Sequence, residues 1–214
     1  MISLLAVSNY RSLKETRLPL GRLNLVTGAN GSGKSNLYKA LRLLSDTALG
    51  TATSSIAAEG GLDSVLWAGP ETISRAMKKG QLPVQGGPRQ KPVELKLGFV
   101  GDDFSYAIDF GMPEPVPGTM FFKDPVIKRE AIWYGGQYHP SRLMVDRRGP
   151  VIKARNQSGA WQVIDHHLHS FDSMLMRLAD PHLAPEALFL RESIRSWRFY
   201  DHFRTDRFSP VREP

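Results

Sequence analysis

The feature that most constrains this chain is a glycine-rich string from Gly28 to Ser35, which reads Gly-Ala-Asn-Gly-Ser-Gly-Lys-Ser. It matches the pattern G-x-x-x-x-G-K-[S/T] at every fixed position. An apolar stretch precedes the string, and leucines and alanines follow it at helical spacing. This order of apolar stretch, glycine loop and helix favours a phosphate-binding loop over a glycine-rich turn that fits the pattern by chance.

The residue types in this loop suit phosphate chemistry. Glycines allow the backbone N–H groups to approach phosphate oxygens closely, and a helix that starts at the loop adds unpaired N–H groups that attract anions. The glycines are Gly28, Gly31 and Gly33. Lys34 is expected to reach the β- and γ-phosphates, and the hydroxyl of Ser35 is expected to ligate Mg²⁺. The sequence therefore predicts ATP as ligand, with Mg²⁺ as its metal ion.

The segments around the loop show the periodicities of strands and helices. Three apolar stretches, Ile2–Val7, Thr16–Leu20 and Leu23–Thr27, predict a strand, a returning strand and a buried strand that leads into the loop. The residues after the loop predict a helix over Lys34–Ser45. A strand, loop and helix in this order indicate an α/β fold.

The rest of the chain changes character twice. Residues 46–92 are rich in small residues, proline and glutamine, and Lys79–Pro92 is predicted to be a loop. Turn signals then separate five β-like segments, which predict an antiparallel meander: Val93–Val100, Phe104–Phe110, Lys128–Tyr134, Ser141–Asp146 and Val151–Asn156. From Leu168 the pattern turns helical, and a second helix is predicted over Pro185–Arg204.

These patterns predict an α/β nucleotide-binding fold in four segments. The predicted segments are a phosphate-loop core (1–50), a flexible region (51–92), an antiparallel β subdomain (93–165) and a helical segment (166–214). We expect the helical segment to continue into a further lobe, because the chain stops directly after a predicted helix and before any closing strand.

Composition narrows the class of protein. Hydrophobic residues make up 41% and charged residues 23%, and no apolar run approaches the roughly 20 residues needed to cross a bilayer. Cysteine is absent, which excludes disulfides and thiolate metal sites and fits a cytoplasmic protein. The net charge of +7 leaves two alternatives open, a solvated basic surface and a surface that faces DNA.

The N-terminal sequence resembles a known group of ATPases. Asn9-Tyr10-Arg11-Ser12-Leu13, then Leu20 to Asn24, then Gly28 to Leu37 look like the pattern of bacterial "predicted ATPases" labelled AAA family. These are similar to the ATP-binding-cassette (ABC) heads of RecF, SMC and OLD proteins, in which two β segments also precede the phosphate loop. The detailed similarity covers about 45 residues, and Ser196 to Asp201 also look like this group.

The resemblance implies a fold, a partner and further ligand contacts. It implies an incomplete RecF/SMC-type head with ATP sandwiched between two copies, hence a homodimer gated by nucleotide. DNA repair, chromosome maintenance and anti-phage defence all use such heads, with DNA or protein partners. It places Arg11 and Ser12 near the nucleotide, and the side chain of Asn36 beside the triphosphate. It also implies that a contiguous run wraps the β-phosphate: Asn30, Gly31, Ser32, Gly33, Lys34 and Ser35.

The acidic half of the hydrolysis machinery has no counterpart in the sequence. The family's Walker B strand ends in Asp-Glu, but Asp146 is followed by arginines and Asp109 by Phe110. Leu44-Ser45-Asp46 resembles a fragment of the family's signature motif, but it lies too early in the chain. No catalytic residue is assigned, and we expect the chain to be the N-terminal part of a longer ATPase. The alternatives are a non-hydrolysing nucleotide-binding interaction module and, less favoured, a small-molecule kinase.

Three weaker patterns remain. The histidines His166, His167 and His169 are close in sequence but do not converge on one ion in a regular element, so a polar loop is favoured over a zinc site. Gln137 is one candidate Mg²⁺-contacting glutamine, with Gln81 and Gln85 as competitors. An aromatic stripe predicts packing in the core rather than stacking on nucleic-acid bases, and it comprises Trp197, Phe199, Tyr200 and Phe203.

Overall fold

The computed structural model describes residues 1–86, 93–114, 124–178 and 180–200. Eight strands form one antiparallel sheet in the order β2-β1-β3-β4-β5-β6-β7-β8. The strands are β1 (Ile2–Tyr10), β2 (Leu13–Pro19), β3 (Leu95–Gly101), β4 (Phe104–Gly111), β5 (Val126–Tyr134), β6 (Leu143–Arg148), β7 (Val151–Arg155) and β8 (Trp161–Asp165). The α/β class and the antiparallel sheet predicted from the sequence are therefore confirmed.

Six helices accompany the sheet within the described ranges. They are α1 (Lys34–Leu49), α2 (Ala52–Ala58), α3 (Leu62–Val65), α4 (Arg75–Lys78), α5 (Met174–Arg177) and α6 (Pro185–Arg195). The predicted phosphate-loop helix is longer than expected and ends where Gly50 adopts a positive φ. Helices α2 to α4 lie in the region that composition predicted to be flexible. None of the described helices is long and apolar enough to cross a bilayer.

One face of the sheet supplies the core. Alternating residues such as Leu5, Leu97, Ile108 and Ile132 are fully or almost fully buried in one cluster with Leu44 of α1. Helix α1 also contacts α2, α5 and α6. All eight strands belong to one continuous sheet, because β1 pairs with β3. It thus joins the predicted phosphate-loop core to the predicted β subdomain.

The prediction of a third strand over Leu23–Thr27 is wrong, because the structure has no strand there. Residues 22–27 form no strand, and no backbone hydrogen bond joins them to the rest of the described chain. Leu23 and Leu25 are 93% and 88% exposed. The apolar pattern predicted a buried strand, but a strand needs a neighbour, and no described strand runs beside this segment.

Two C-terminal predictions also need correction. The helix predicted over Pro185–Arg204 ends at Arg195, and residues 201–214 lie outside the described ranges. The helical pattern after Leu168 forms only the single turn of α5. Within the aromatic stripe, Trp197 packs edge-on against Phe99, and Phe199 packs against Tyr38. These contacts confirm packing for those two rings. The prediction is wrong for Tyr200, whose side chain is exposed, and Phe203 lies outside the described residues.

Candidate functional site

The phosphate loop leads directly into the first turn of α1. Gly31 and Gly33 adopt φ values of 80° and 98°, which non-glycine residues rarely adopt. Gly33 is the N-cap of α1, and no side chain caps that helix. Asn36 and Leu37 donate their backbone N–H groups to the carbonyl of Gly33. A 16-residue helix whose first turn has no capping side chain presents N–H groups and a positive dipole end, as an anion site requires.

The ammonium group of Lys34 bonds to the loop itself. Its Nζ donates to the carbonyls of Gly28 and Ala29 at 2.6 Å and 2.7 Å. These are exposed acceptors at the start of the loop, and the side chain of Ser35 is exposed beside them. The ammonium group of Lys34 is therefore held at the start of the loop, by two carbonyls that an anion could replace as its acceptors.

Ser12 connects the first strand pair to the loop. Its hydroxyl accepts a hydrogen bond from Nδ2 of Asn36 at 2.8 Å. A Cβ built at Gly33 would lie 2.7 Å from the same hydroxyl oxygen, so the two segments are in close contact. The structure thus brings the sequence-predicted residue Ser12 to the loop residues Gly33 and Asn36, while Asn30 and Ser32 are exposed on the loop itself.

The turn that carries Arg11 and Ser12 is unusual. Asn9 and Arg11 both have positive φ, 59° and 51°, on either side of the buried Tyr10. Non-glycine residues in this region are uncommon and are concentrated at functional sites. The turn is held by two backbone bonds, from Arg11 N–H to Val65 and from Trp67 N–H to Asn9. Residues 65–67, at the end of α3, therefore hold the turn in the conformation that brings Ser12 to the loop.

Arg11 does not reach the loop directly. Its guanidinium Nη2 pairs with the carboxylate of Glu59, which also accepts a hydrogen bond from Lys39 Nζ at 3.0 Å. Burial alone would raise the pKa of Glu59, but the hydrogen bonds from Arg11 and Lys39 outweigh it and lower that pKa. Glu59 is thus an anionic carboxylate between two cations.

A cavity of about 680 Å³ runs between α1 and α2 and begins at Ser35. Lys39 and Glu59 line it near the loop, and Asp46 and Ser55 line it farther along α1. The hydroxyl of Ser55 donates to Asp46 at 2.6 Å, and burial raises the pKa of that carboxyl. The only acids lining this cavity among the described residues, Asp46 and Glu59, therefore already have hydrogen-bond partners.

Sequence reasoning missed Lys39 and Glu59. Lys39 follows Ser35 by four residues and so lies on the same face of α1, a signal that the sequence contained. Glu59 had no such signal, because it caps the C-terminus of α2, a helix that composition did not predict. Their positions depend on how α2 folds back along α1.

The two aspartates that the sequence analysis considered for the acidic strand lie in the antiparallel sheet. Asp146 lies in β6 and bonds to Arg129 and Arg148, and Asp109 lies in β4 and bonds to Lys96. Ser45, in the fragment that resembles a signature motif, is buried within α1. None of these carboxylates lines the cavity at Ser35. Gln137 does not line it either; it borders a groove on the sheet face that lies away from the helices.

The histidine cluster lies in the loop that follows β8. Among the described residues no group of three or more His, Asp or Glu side chains could hold a metal ion. The rings of His166 and His167 meet edge to face, and the ring of His169 stacks on Phe171. The carbonyl of His169 instead accepts a hydrogen bond from the buried Arg147. The preference for a polar loop agrees with this arrangement.

Comparison with known proteins finds a similarity that covers the N-terminal part of the chain. No curated protein matched the sequence. A family model described as "AAA ATPase domain" matches residues 1–85, which include the first strand pair, the phosphate loop, α1 and the segment that carries Glu59. Residues 1–85 are thus similar to an AAA ATPase domain, which is consistent with the N-terminal portion of an AAA-family ATPase.

Proposed function

We propose that the chain binds Mg²⁺-ATP at the loop Gly28–Asn36. The observation that carries the proposal is the combination of positive-φ glycines with an uncapped N-terminus of α1 and the ammonium group of Lys34 over the loop. Backbone N–H groups of residues 30–35 would surround the β-phosphate, as the loop leads directly into the N-terminus of α1. The match to an AAA ATPase domain over the same residues supports this ligand.

Each polar side chain of the site has a role in this proposal. Lys34 exchanges the carbonyls of Gly28 and Ala29 for β- and γ-phosphate oxygens, which are charged and therefore stronger acceptors. The hydroxyl of Ser35 would hold Mg²⁺, which prefers oxygen ligands and retains several waters. Asn36 and Ser12, already joined to each other, would lie beside the triphosphate, with Arg11 nearby.

We further propose that hydrolysis needs an acidic residue supplied outside this cavity. Phosphoryl transfer uses a carboxylate to hold Mg²⁺ and a residue to orient the attacking water. The two acids that line the cavity at Ser35 already have hydrogen-bond partners. The exposure of Leu23 and Leu25 supports this proposal. An apolar segment with unpaired backbone is suited to pair with a further β-strand, and such a strand could carry the acidic residue. A head of the RecF/SMC type, completed in this way and dimerising around ATP, fits these observations.

A second candidate is a non-hydrolysing module in which ATP serves as a switch or as part of an interface. The lack of a free acid among the described lining residues of the cavity favours it. Turnover separates the two candidates, and nucleotide-dependent association, measured by sedimentation with and without ATP, tests the dimer. DNA remains a proposed partner only through the net charge of +7, with repair and anti-phage defence as its settings.

The first prediction tests the loop with Lys34→Ala. We expect Mg²⁺-ATP binding, measured by calorimetry, to weaken on the order of 100-fold, or about 2.7 kcal/mol, because the ammonium contacts to two phosphates are lost. The matched control is Lys153→Ala, an exposed lysine on β7 that should leave binding unchanged. Equal affinity in the unmodified protein and Lys34→Ala would refute the proposed site. Ordinary phosphate release by the unmodified chain, lost in Lys34→Ala, would refute the need for an outside acid.

A further inference from the structure

Glu59 joins two cations that come from segments next to the phosphate loop. It lies just after the last residue of α2 and bonds at the same time to Arg11 of the β1–β2 turn and to Lys39 of α1. The side chains of Arg11 and Glu59 are roughly 70% buried and that of Lys39 somewhat more than half. These are therefore partly buried ion pairs, and no other acid is paired with either cation among the described residues.

The guanidinium of Arg11 is incompletely satisfied in this position. Its Nε is buried and has no hydrogen-bond partner among the described residues. A buried donor without a partner is unfavourable, because the hydrogen bond that it made to water is not replaced. The guanidinium of Arg11 would therefore gain by moving to a ligand that offers more acceptors than the carboxylate of Glu59.

The three residues are close to the loop. Ser12, the neighbour of Arg11, bonds to Asn36, and Lys39 lies one turn beyond Ser35 on α1. Ser35, Lys39 and Glu59 line the same cavity. A phosphate group on the loop and the carboxylate of Glu59 would therefore be alternative anions for the same pair of cations.

We propose that Glu59 is an internal competitor for the nucleotide: it holds Arg11 and Lys39 until a polyphosphate displaces it, and both cations then contact the ligand. This inference rests on the proposed function and adds Lys39 and Glu59 to the site. A polyphosphate carries several negative charges and many acceptor oxygens, and arginine binds such groups in a bidentate manner. Lys34 follows the same pattern, because it too is bonded to acceptors of the protein.

The test is Glu59→Gln, with inorganic tripolyphosphate and Mg²⁺-ATP as the two probes. Removal of the competing charge should tighten binding of both probes about fivefold, the range expected for a partly exposed ion pair. The matched control is Asp63→Asn, which removes one exposed acid from the neighbouring α3 and should change affinity by less than about twofold. Arg11→Ala should weaken both probes and reduce the gain from Glu59→Gln.

The outcomes separate this inference from the proposed function. Weaker binding in Glu59→Gln would show that Glu59 positions Arg11 for the ligand, and a change equal to that of Asp63→Asn would show that Glu59 has no specific effect on binding. Either outcome would overturn the competitor role while leaving the loop site intact. Equal affinity of the unmodified protein and Lys34→Ala for both probes would overturn the proposed function instead. If neither the unmodified protein nor Glu59→Gln binds either probe, both are wrong.

A measurement on the unmodified chain guards against a folding defect in the variant. The backbone N–H of Glu59 bonds to carbonyls of α2, and Gly60 and Gly61 continue the turn. If tripolyphosphate displaces Glu59, hydrogen exchange of these three amides should become faster when the ligand is added. Slower exchange would mean that the turn closes on the ligand, and it would contradict displacement.

Discussion

The antiparallel sheet and the phosphate-loop segment use their apolar residues in opposite ways. In the sheet, alternating side chains such as Leu97 and Ile108 are buried against the helices, and each backbone has a paired neighbour. In the loop segment, Leu23 and Leu25 point into solvent and residues 22–27 have no backbone partner among the described residues. Within the described residues, the strands of the sheet therefore have both packing and backbone hydrogen-bond partners, whereas residues 22–27 have neither.

The two regions also place their charges differently. In the sheet, Glu130 of β5 and Arg147 of β6 have completely buried side chains that form an ion pair at 2.6 Å. Glu130 also accepts hydrogen bonds from Tyr106 and Ser173, and Arg147 donates to the carbonyls of three other residues. At the loop, Lys34, Arg11 and Lys39 are partly exposed, and each is bonded to an acceptor of the protein. The charges of this pair in the sheet are thus fully desolvated, whereas those at the loop are accessible to solvent, as the proposed exchange of acceptors requires.

The largest expected effect comes from breaking the buried pair with Glu130→Gln. The variant leaves the charge of Arg147 buried without its counter-ion, so we expect the free energy of unfolding to fall by about 3–5 kcal/mol. Chemical denaturation measures it. The control is Glu15→Gln, whose carboxylate is 74% exposed and lies 3.9 Å from Arg17, and it should cost less than about 1 kcal/mol. Similar costs for both variants would contradict the contrast between the two regions.

The sequence predicted the sheet through its pattern and the site through its motif. Apolar alternation between residues 93 and 156 arises because one face of each strand packs on the core, so five strands were predictable. The pairing of Glu130 with Arg147 was not, since it depends on the register between β5 and β6. The hydrophobic pattern indicates which face of each strand is buried, but it does not identify which residue of β5 lies opposite which residue of β6.

The site shows the same division. The glycines, Lys34 and Ser35 are contiguous, and their chemistry depends on local backbone conformation, so the motif predicted them. Arg11 and Ser12 came from a family resemblance, and Lys39 and Glu59 depend on tertiary contacts between α1 and α2. The error at Leu23–Thr27 has the same cause: an apolar pattern indicates a preference for burial but does not provide the neighbour that buries it.

An intermediate effect on stability is expected for Gly33→Ala. Gly33 lies where the phosphate loop contacts the turn between β1 and β2 of the sheet. Alanine at a φ of 98° is strained, and its Cβ would lie 2.7 Å from the hydroxyl oxygen of Ser12. We expect a loss of about 1–3 kcal/mol in the free energy of unfolding and weaker Mg²⁺-ATP binding. Gly80→Ala is the control, because its φ of 70° gives similar strain with open space around the added Cβ. Equal costs and unchanged ATP affinity would show that the contact with Ser12 is unimportant.

The smallest expected effect on stability comes from Leu25→Thr. Leu25 is 88% exposed, so its substitution should change the free energy of unfolding by less than about 0.5 kcal/mol. Leu97→Thr is the matched control in the sheet, where Leu97 is 2% exposed, and it should cost about 2–5 kcal/mol because it removes a buried apolar group. Light scattering should also show less self-association in Leu25→Thr, since an exposed apolar segment with unpaired backbone attracts other chains.

The opposite result would be equally informative about the loop segment. If Leu25→Thr costs as much as Leu97→Thr in dilute monomer, the segment is buried in solution, and the phosphate loop then already has the neighbour that the structure does not show. If the cost appears only at high protein concentration, a second copy covers the segment. A negligible cost at every concentration leaves the segment exposed, as it must be if a further strand is to pair with it and bring an acidic residue to the phosphate loop.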